Sequence, residues 1–174
     1  AGGMVVVPAY DDPDVIAGQG TIGLEIVRQV TGPLDAVFVP VGGGGLIAGV
    51  GAFLRAIRPD VRVVGVEPDD AACMKAALAA GRPVKLKEVG LFADGVAVAQ
   101  AGRETFRVAR RCVDEVVPAG PDEMCAAVKE LFEDTRSIAE PAGGLALAGV
   151  EKHAPPGGVK GRAVPAGPTR PDTN

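Results

Sequence analysis

With 174 residues and 47% hydrophobic side chains the chain holds enough apolar material for a single globular core, yet no apolar run in it approaches the length of a membrane span. Lysine plus arginine number 18 against 22 aspartate plus glutamate, a net charge of −4 without blocks of one sign, which excludes the basic stripe of a nucleic-acid or acidic-membrane binder. Cys73, Cys112 and Cys125 are odd in number and far apart, with a single histidine in the chain, so the expectation is three buried thiols, a reducing cytoplasmic setting and no metal site.

Met4-Val5-Val6-Val7-Pro8 reads as a buried strand, so the chain enters in mid-domain. A loop follows at Tyr10-Asp11-Asp12-Pro13-Asp14, with Asp12 or Asp14 placed to cap a helix. Over residues 15–30 Ile22, Ile26 and Val30 recur on one helical face, while Gly18, Gly20 and Gly23 imply close packing against another element, most simply the sheet.

The second strand, residues 36–41, runs into the most informative stretch, Val39-Pro40-Val41-Gly42-Gly43-Gly44-Gly45-Leu46. Leu46, Ile47, Val50, Phe53, Leu54 and Ile57 then carry helical spacing, and the helix ends near Arg58-Pro59. Strand, glycine turn and helix N-terminus together suit an anion: no Cβ blocks the approach, the first helical N–H groups are unpaired, and the helix dipole is positive there. A nucleotide P-loop needs Lys then Ser or Thr after its last glycine, and Leu46-Ile47 excludes it. A dinucleotide fingerprint, Gly43-x-Gly45-x-x-Ala48 with Glu67 as the ribose acid, stays open as a dehydrogenase alternative.

Residues 61–66 form a third strand, broken by Glu67-Pro68-Asp69-Asp70, which cap a helix over 71–80 that stops at Gly81. Alternating strands and helices at this spacing predict an α/β fold, an open and mostly parallel sheet flanked by helices, with ligands beyond the carboxyl ends of the strands. Residues 83–98 are irregular, with a turn signal at Asp94-Gly95. Then come an amphipathic helix over 102–112, a short strand at 115–117 and a helix over 121–133 with Met124, Val128, Leu131 and Phe132 inward. Glu140 precedes a helix over 145–153 and serves either as its cap or as a site acid, while His153 sits at its cation-favouring end. Residues 159–164 read as the start of a strand, and 165–174 have no periodicity and are expected to lack order.

Five of these segments, in order, resemble the pyridoxal-phosphate-dependent threonine dehydratases, which share a fold group with serine dehydratase, serine racemase and the tryptophan synthase β subunit. They are Asp12-Pro13-Asp14-Val15-Ile16-Ala17-Gly18-Gln19-Gly20-Thr21, the glycine stretch, Gly90-Leu91-Phe92-Ala93-Asp94-Gly95-Val96-Ala97-Val98, Leu131-Phe132-Glu133-Asp134 and Ala139-Glu140-Pro141. The resemblance implies that residues 1–164 are part of a pyridoxal-phosphate catalytic domain, that Gly42, Gly43, Gly44, Gly45 and Leu46 bind the cofactor's phosphate, and that Asp94, Gly95 and Glu140 line the cleft. It implies an enzyme that takes L-threonine, or L-serine in a near relative, to a 2-oxo acid and ammonia for isoleucine synthesis, and that assembles as a homo-oligomer. Racemase-like relatives bind a cation with an acid six residues after a position matched by Glu67; Cys73 stands there, which argues against that metal.

Other family features lack a match. The family's Schiff-base lysine lies in a Ser-x-Lys-x-Arg-Gly motif upstream of the glycine turn, whereas the first lysine here is Lys75. The chain by itself is therefore expected to be an inactive cofactor-binding fragment. Where the family has Ser/Cys-Gly-Ala-Asn, this chain has Pro165-Ala166-Gly167-Pro168-Thr169, and the expectation is a tail out of frame. Sequencing the gene tests it: codons CCT GCG GGG CCA ACA would contain Cys-Gly-Ala-Asn in the shifted frame, and an upstream Ser-x-Lys-x-Arg-Gly would accompany them; codons without that shifted reading remove the idea.

Overall fold

The computed structural model describes residues 3–153 and 163–165. Four parallel strands, β1 (Ala36–Pro40), β2 (Arg62–Pro68), β3 (Glu115–Ala119) and β4 (Ala163–Pro165), form one sheet in the order β3-β2-β1-β4. In β1 and β2 successive side chains enter opposite layers, as the pleat requires. Val37, Val39 and Val63 meet Ile47, Val50 and Leu54 of α2 (Gly45–Ile57) and Phe106 and Ala109 of α4 (Arg103–Cys112). Phe38, Val64 and Val66 meet Met124 and Ala127 of α5 (Pro121–Thr135) and Leu145 and Ala146 of α6 (Pro141–His153). Both faces of the sheet are covered, as its run of β-branched residues predicts.

The chain steps outward from β1 to β2 to β3 and then returns to place β4 on the other side of β1. The strand order thus reverses beside β1, and the crevice at its carboxyl end is where such sheets hold ligands. The glycine turn leaves from that end.

α1 (Pro13–Gln29) starts where the sequence places its cap: Asp12 Oδ1 accepts the N–H of Asp14 at 2.8 Å and of Val15 at 3.2 Å. Two of its glycines, Gly20 and Gly23, pack against a helix, however, and not against the sheet as expected. A Cβ at Gly20 would stand 3.3 Å from Gly49 O, and one at Gly49 would stand 2.6 Å from Gly20 N and run into Ile16 O. The two helix backbones touch, which only small residues permit.

Other expectations need correction. The run Met4–Val7 is exposed (Val6 87%) and unpaired, because no strand of the described residues lies beside it to accept its hydrogen bonds. β2 extends through Pro68, so Glu67 belongs to the strand and does not break it, and α3 (Cys73–Ala80) starts two residues later than expected. On α5 the inward residues are Met124, Ala127 and Leu131, while Phe132 is 44% exposed under the Arg136 guanidinium. Cys125, next to inward Met124, faces outward and is exposed, unlike buried Cys73 and Cys112. Of the tail expected over 165–174, Pro165 instead closes β4 in register with Phe38, and the rest lies outside the described residues.

Gly49→Ala is expected to lower stability by about 2 kcal/mol or more, since a methyl group would separate two backbones in contact. Gly18→Ala, whose Cβ meets nothing within 4 Å, should instead raise stability by about 0.5–1 kcal/mol through helix propensity. Urea unfolding of both variants checks the pair; equal effects would refute the packing account.

Candidate functional site

The turn after β1 is built by tying its carbonyls inward. Val41 N–H still pairs with Val66 O at 2.8 Å, and then the chain leaves the sheet. Gly42 O accepts from Cys73 Sγ at 3.4 Å. Gly43 O accepts from Thr105 Oγ1 at 2.7 Å and from Gly102 N at 3.1 Å. Gly44 O accepts from Ala48 N at 3.0 Å and so opens α2. The N–H groups of Gly43, Gly44 and Gly45, all buried residues, have no partner among the described residues. Buried amides without acceptors are costly, and here three lie in succession at a helix N-terminus. An anionic group with several oxygens answers that need.

Glycine is required by two separate constraints. Gly44 has φ +97°, and a side chain there would also run into Met74 Cε. A Cβ at Gly43 would collide with the Tyr10 ring. The turn is a cradle that side chains would fill.

The other residues singled out from sequence come to the same place. Asp94-Gly95-Val96 is a single 3-10 turn. A Cβ at Gly42 would be 3.0 Å from Val96 Cα, and one at Gly95 would be 3.1 Å from Glu140 Oε1. Gly42 thus adjoins the turn that carries Gly95, Gly95 adjoins Glu140, and Asp94 in the same turn is exposed. Glu140 starts α6 through its backbone carbonyl, which accepts from Gly143 N at 2.9 Å and Gly144 N at 3.1 Å. Its carboxylate caps nothing among the described residues. Leu46, also expected at the site, is the second residue of α2 and half-buried.

Glu67 is not available to a ribose. It is fully buried, and its Oε1 and Oε2 accept from Met74 N at 2.7 Å and Lys75 N at 2.9 Å, capping α3 from the adjacent strand. Burial pushes its carboxyl up to about 7 despite the opposing pull of the two backbone donors. Burial, with the Glu67 charge second, likewise holds the Cys73 thiol at about 12. The dinucleotide alternative loses its acid. Among the described residues no group of three or more His, Cys, Asp or Glu is arranged to hold a metal. Lys75, Lys85, Lys87, Lys129 and Lys152 are all exposed; Lys129 and Lys152 pair with Glu133 and Glu123, while Lys160 lies outside the described residues.

Sequence reasoning missed Tyr10, Asp11 and Thr105. Asp11 accepts from Arg103 N at 2.9 Å and Glu104 N at 2.8 Å, and so caps α4 from 92 positions away in the chain. The available signal was a second aspartate beside Asp12, which alone suffices to cap α1. For Thr105 it was a hydroxyl on the face of α4 that also carries Phe106, Ala109 and Cys112.

The model of one protein family, described as pyridoxal-phosphate dependent enzyme, matches residues 1–164. A biosynthetic L-threonine dehydratase of Burkholderia multivorans is 51% identical over 94% of this chain and 32% of its own length. One of Escherichia coli is 54% identical over 87% of this chain and 29% of its own. The solved structure of the processed form of threonine deaminase isoform 2 from Solanum lycopersicum fits with a TM-score of 0.88 at 44% identity, over 94% of this chain and 48% of that one. The chain spans about a third of the length of the curated relatives it matches.

The buried Glu67 predicts a pH dependence of stability. Its carboxyl is raised from an ordinary 4.5 to about 7, so the folded state binds the proton more tightly than the unfolded state. The contribution is complete below about pH 4.5 and is lost as pH rises through 7. Wild type should therefore lose on the order of 3 kcal/mol relative to Glu67→Gln across that window, read from urea midpoints at a series of pH values. Parallel curves would contradict it.

Proposed function

The chain belongs to the pyridoxal-phosphate-dependent enzyme family, and on that premise we propose that it is the part of a biosynthetic L-threonine dehydratase that anchors the cofactor's phosphate. The observation that carries this reading is the row of amides at Gly43, Gly44 and Gly45 that have no partner among the described residues, at the carboxyl end of β1 and the N-terminus of α2. In this proposal Gly42, Gly43, Gly44, Gly45 and Leu46 bind the phosphate, while Asp94, Gly95 and Glu140 border the cleft in which the amino acid lies. When bound, pyridoxal phosphate supplies an electron-accepting ring that eases loss of the Cα proton. The contribution of these residues is to fix where that ring stands and to keep the phosphate out of water.

The whole enzyme would convert L-threonine to 2-oxobutanoate and ammonia for isoleucine synthesis. The names of the relatives support threonine, with L-serine as the second candidate. A cytoplasmic homo-oligomer is the expected setting. We further propose that this chain alone lacks the Schiff-base lysine. The exposure of all five described lysines supports that, because such a lysine must face the cofactor inside the cleft.

Equilibrium dialysis with pyridoxal phosphate and an assay for 2-oxobutanoate test the reading on the 174-residue chain. The expected result is reversible binding of pyridoxal phosphate, competed by inorganic phosphate and weakened about tenfold or more in Gly44→Val, with no 2-oxobutanoate released. Absence of binding would overturn the phosphate site, and release of 2-oxobutanoate would overturn the inactive-fragment reading. Binding of NAD in place of pyridoxal phosphate would restore the dehydrogenase alternative.

A further inference from the structure

Among the described residues the two fully buried polar side chains are Glu67 and Thr105, and neither is needed to complete the sheet. Glu67 caps α3. Thr105 lies in the first turn of α4, where a hydroxyl would ordinarily be turned to solvent or back onto its own helix. It reaches instead across the core to Gly43 O at 2.7 Å, a separation of 62 positions in the chain. Gly102 N, just before α4, adds a second bond to the same carbonyl at 3.1 Å.

The direction of that carbonyl decides the direction of the next amide. All peptide bonds of the described residues are trans, and in a trans peptide the C=O of one residue and the N–H of the next point opposite ways. With Gly43 O drawn toward α4, the Gly44 N–H is turned away from α4. Gly44 is the residue with φ +97°, so the local backbone is free to flip this peptide plane unless something holds it. Cys73 Sγ plays the corresponding part for Gly42 O, but at 3.4 Å and through a thiol, a weak donor. The stronger restraint is the hydroxyl.

The start of α4 is itself fixed from outside. Asp11 accepts from Arg103 N and Glu104 N, and Tyr10 beside it covers Gly43. Thr105 is therefore presented by a helix end that cannot drift. We propose that Thr105 is a positioning residue for the phosphate: by holding the Gly43 carbonyl inward it keeps the Gly44 N–H turned out to the anion. The inference rests on the phosphate reading of the turn and adds to it the residue that sets its geometry.

The test compares Thr105→Val, which keeps the shape and removes the hydroxyl, with Thr105→Ser, which restores it. Pyridoxal phosphate and inorganic phosphate are the probes, and the readouts are the dissociation constant and the amide resonance of Gly44. In wild type, inorganic phosphate is expected to shift the Gly44 amide. Thr105→Val should weaken binding of both probes about tenfold and remove most of that shift, with cooperative thermal unfolding retained, while Thr105→Ser stays within about twofold of wild type. Equal binding by wild type and Thr105→Val, or a serine variant as weak as the valine one, overturns the inference. Should the valine variant fail to fold, the wild-type spectrum decides: phosphate that moves Gly45 and leaves Gly44 untouched also overturns it. If wild type binds neither probe, the phosphate reading itself falls; binding that ignores Thr105 removes the inference alone.

Discussion

The carbonyl of Gly43 is where three distant parts of this chain meet. It accepts from Thr105 and Gly102 at the start of α4, the Tyr10 ring packs on the same residue, and Asp11 binds the amides that open α4. A backbone oxygen with two good donors is hard to release, because leaving a buried carbonyl unpaired costs more than an ordinary hydrogen bond gains. That single restraint couples the loop before α1, the glycine turn and α4 into one rigid rim at the end of β1. The cradle is a consequence of it.

Around that rim the two buried polar side chains of the described residues, Glu67 and Thr105, each serve backbone groups. Glu67 is buried at a cost that shows in its raised carboxyl, and what it returns is the start of α3, two residues of which, Cys73 and Met74, press on the glycine turn. The two helix ends nearest the turn are thus both capped by acids from outside their own helices, Asp11 for α4 and Glu67 for α3. Neither helix carries a side-chain cap at its own N-cap residue, Ala72 or Gly102. Tertiary caps of this kind make helix position depend on the rest of the fold, and so transmit packing in the core to the geometry of the site.

Much of this was legible in the order of residues. Alternation of β-branched runs with helical spacing carried the parallel sheet, and Val39-Pro40-Val41-Gly42-Gly43-Gly44-Gly45-Leu46 carried the turn from β1 into α2, since both depend on neighbours in the chain. Gly95 and Glu140 were singled out as turn and cap signals or by resemblance, and their approach to one another follows only from the packing of α6 against the sheet and the Asp94–Val96 turn. Where reading by periodicity went astray, the error was one of face or partner. Phe132 and Cys125 lie next to inward residues on α5 and a rotation of one residue turns them outward. The glycines of α1 signalled a close approach but not that the partner is α2.

What the sequence determined by itself is local: most of the strands and helices, that four consecutive glycines end a strand and begin a helix, and that amides would be left unpaired there. Those follow from side-chain shape and backbone freedom within a few residues. What only the tertiary structure decided is which way the peptide planes of the turn face. That depends on a hydroxyl at Thr105 and a carboxylate at Asp11, 94 positions apart and in hydrogen-bond reach of the same helix end. No spacing rule contains that distance, because it is set by how α1 and α4 pack around α2.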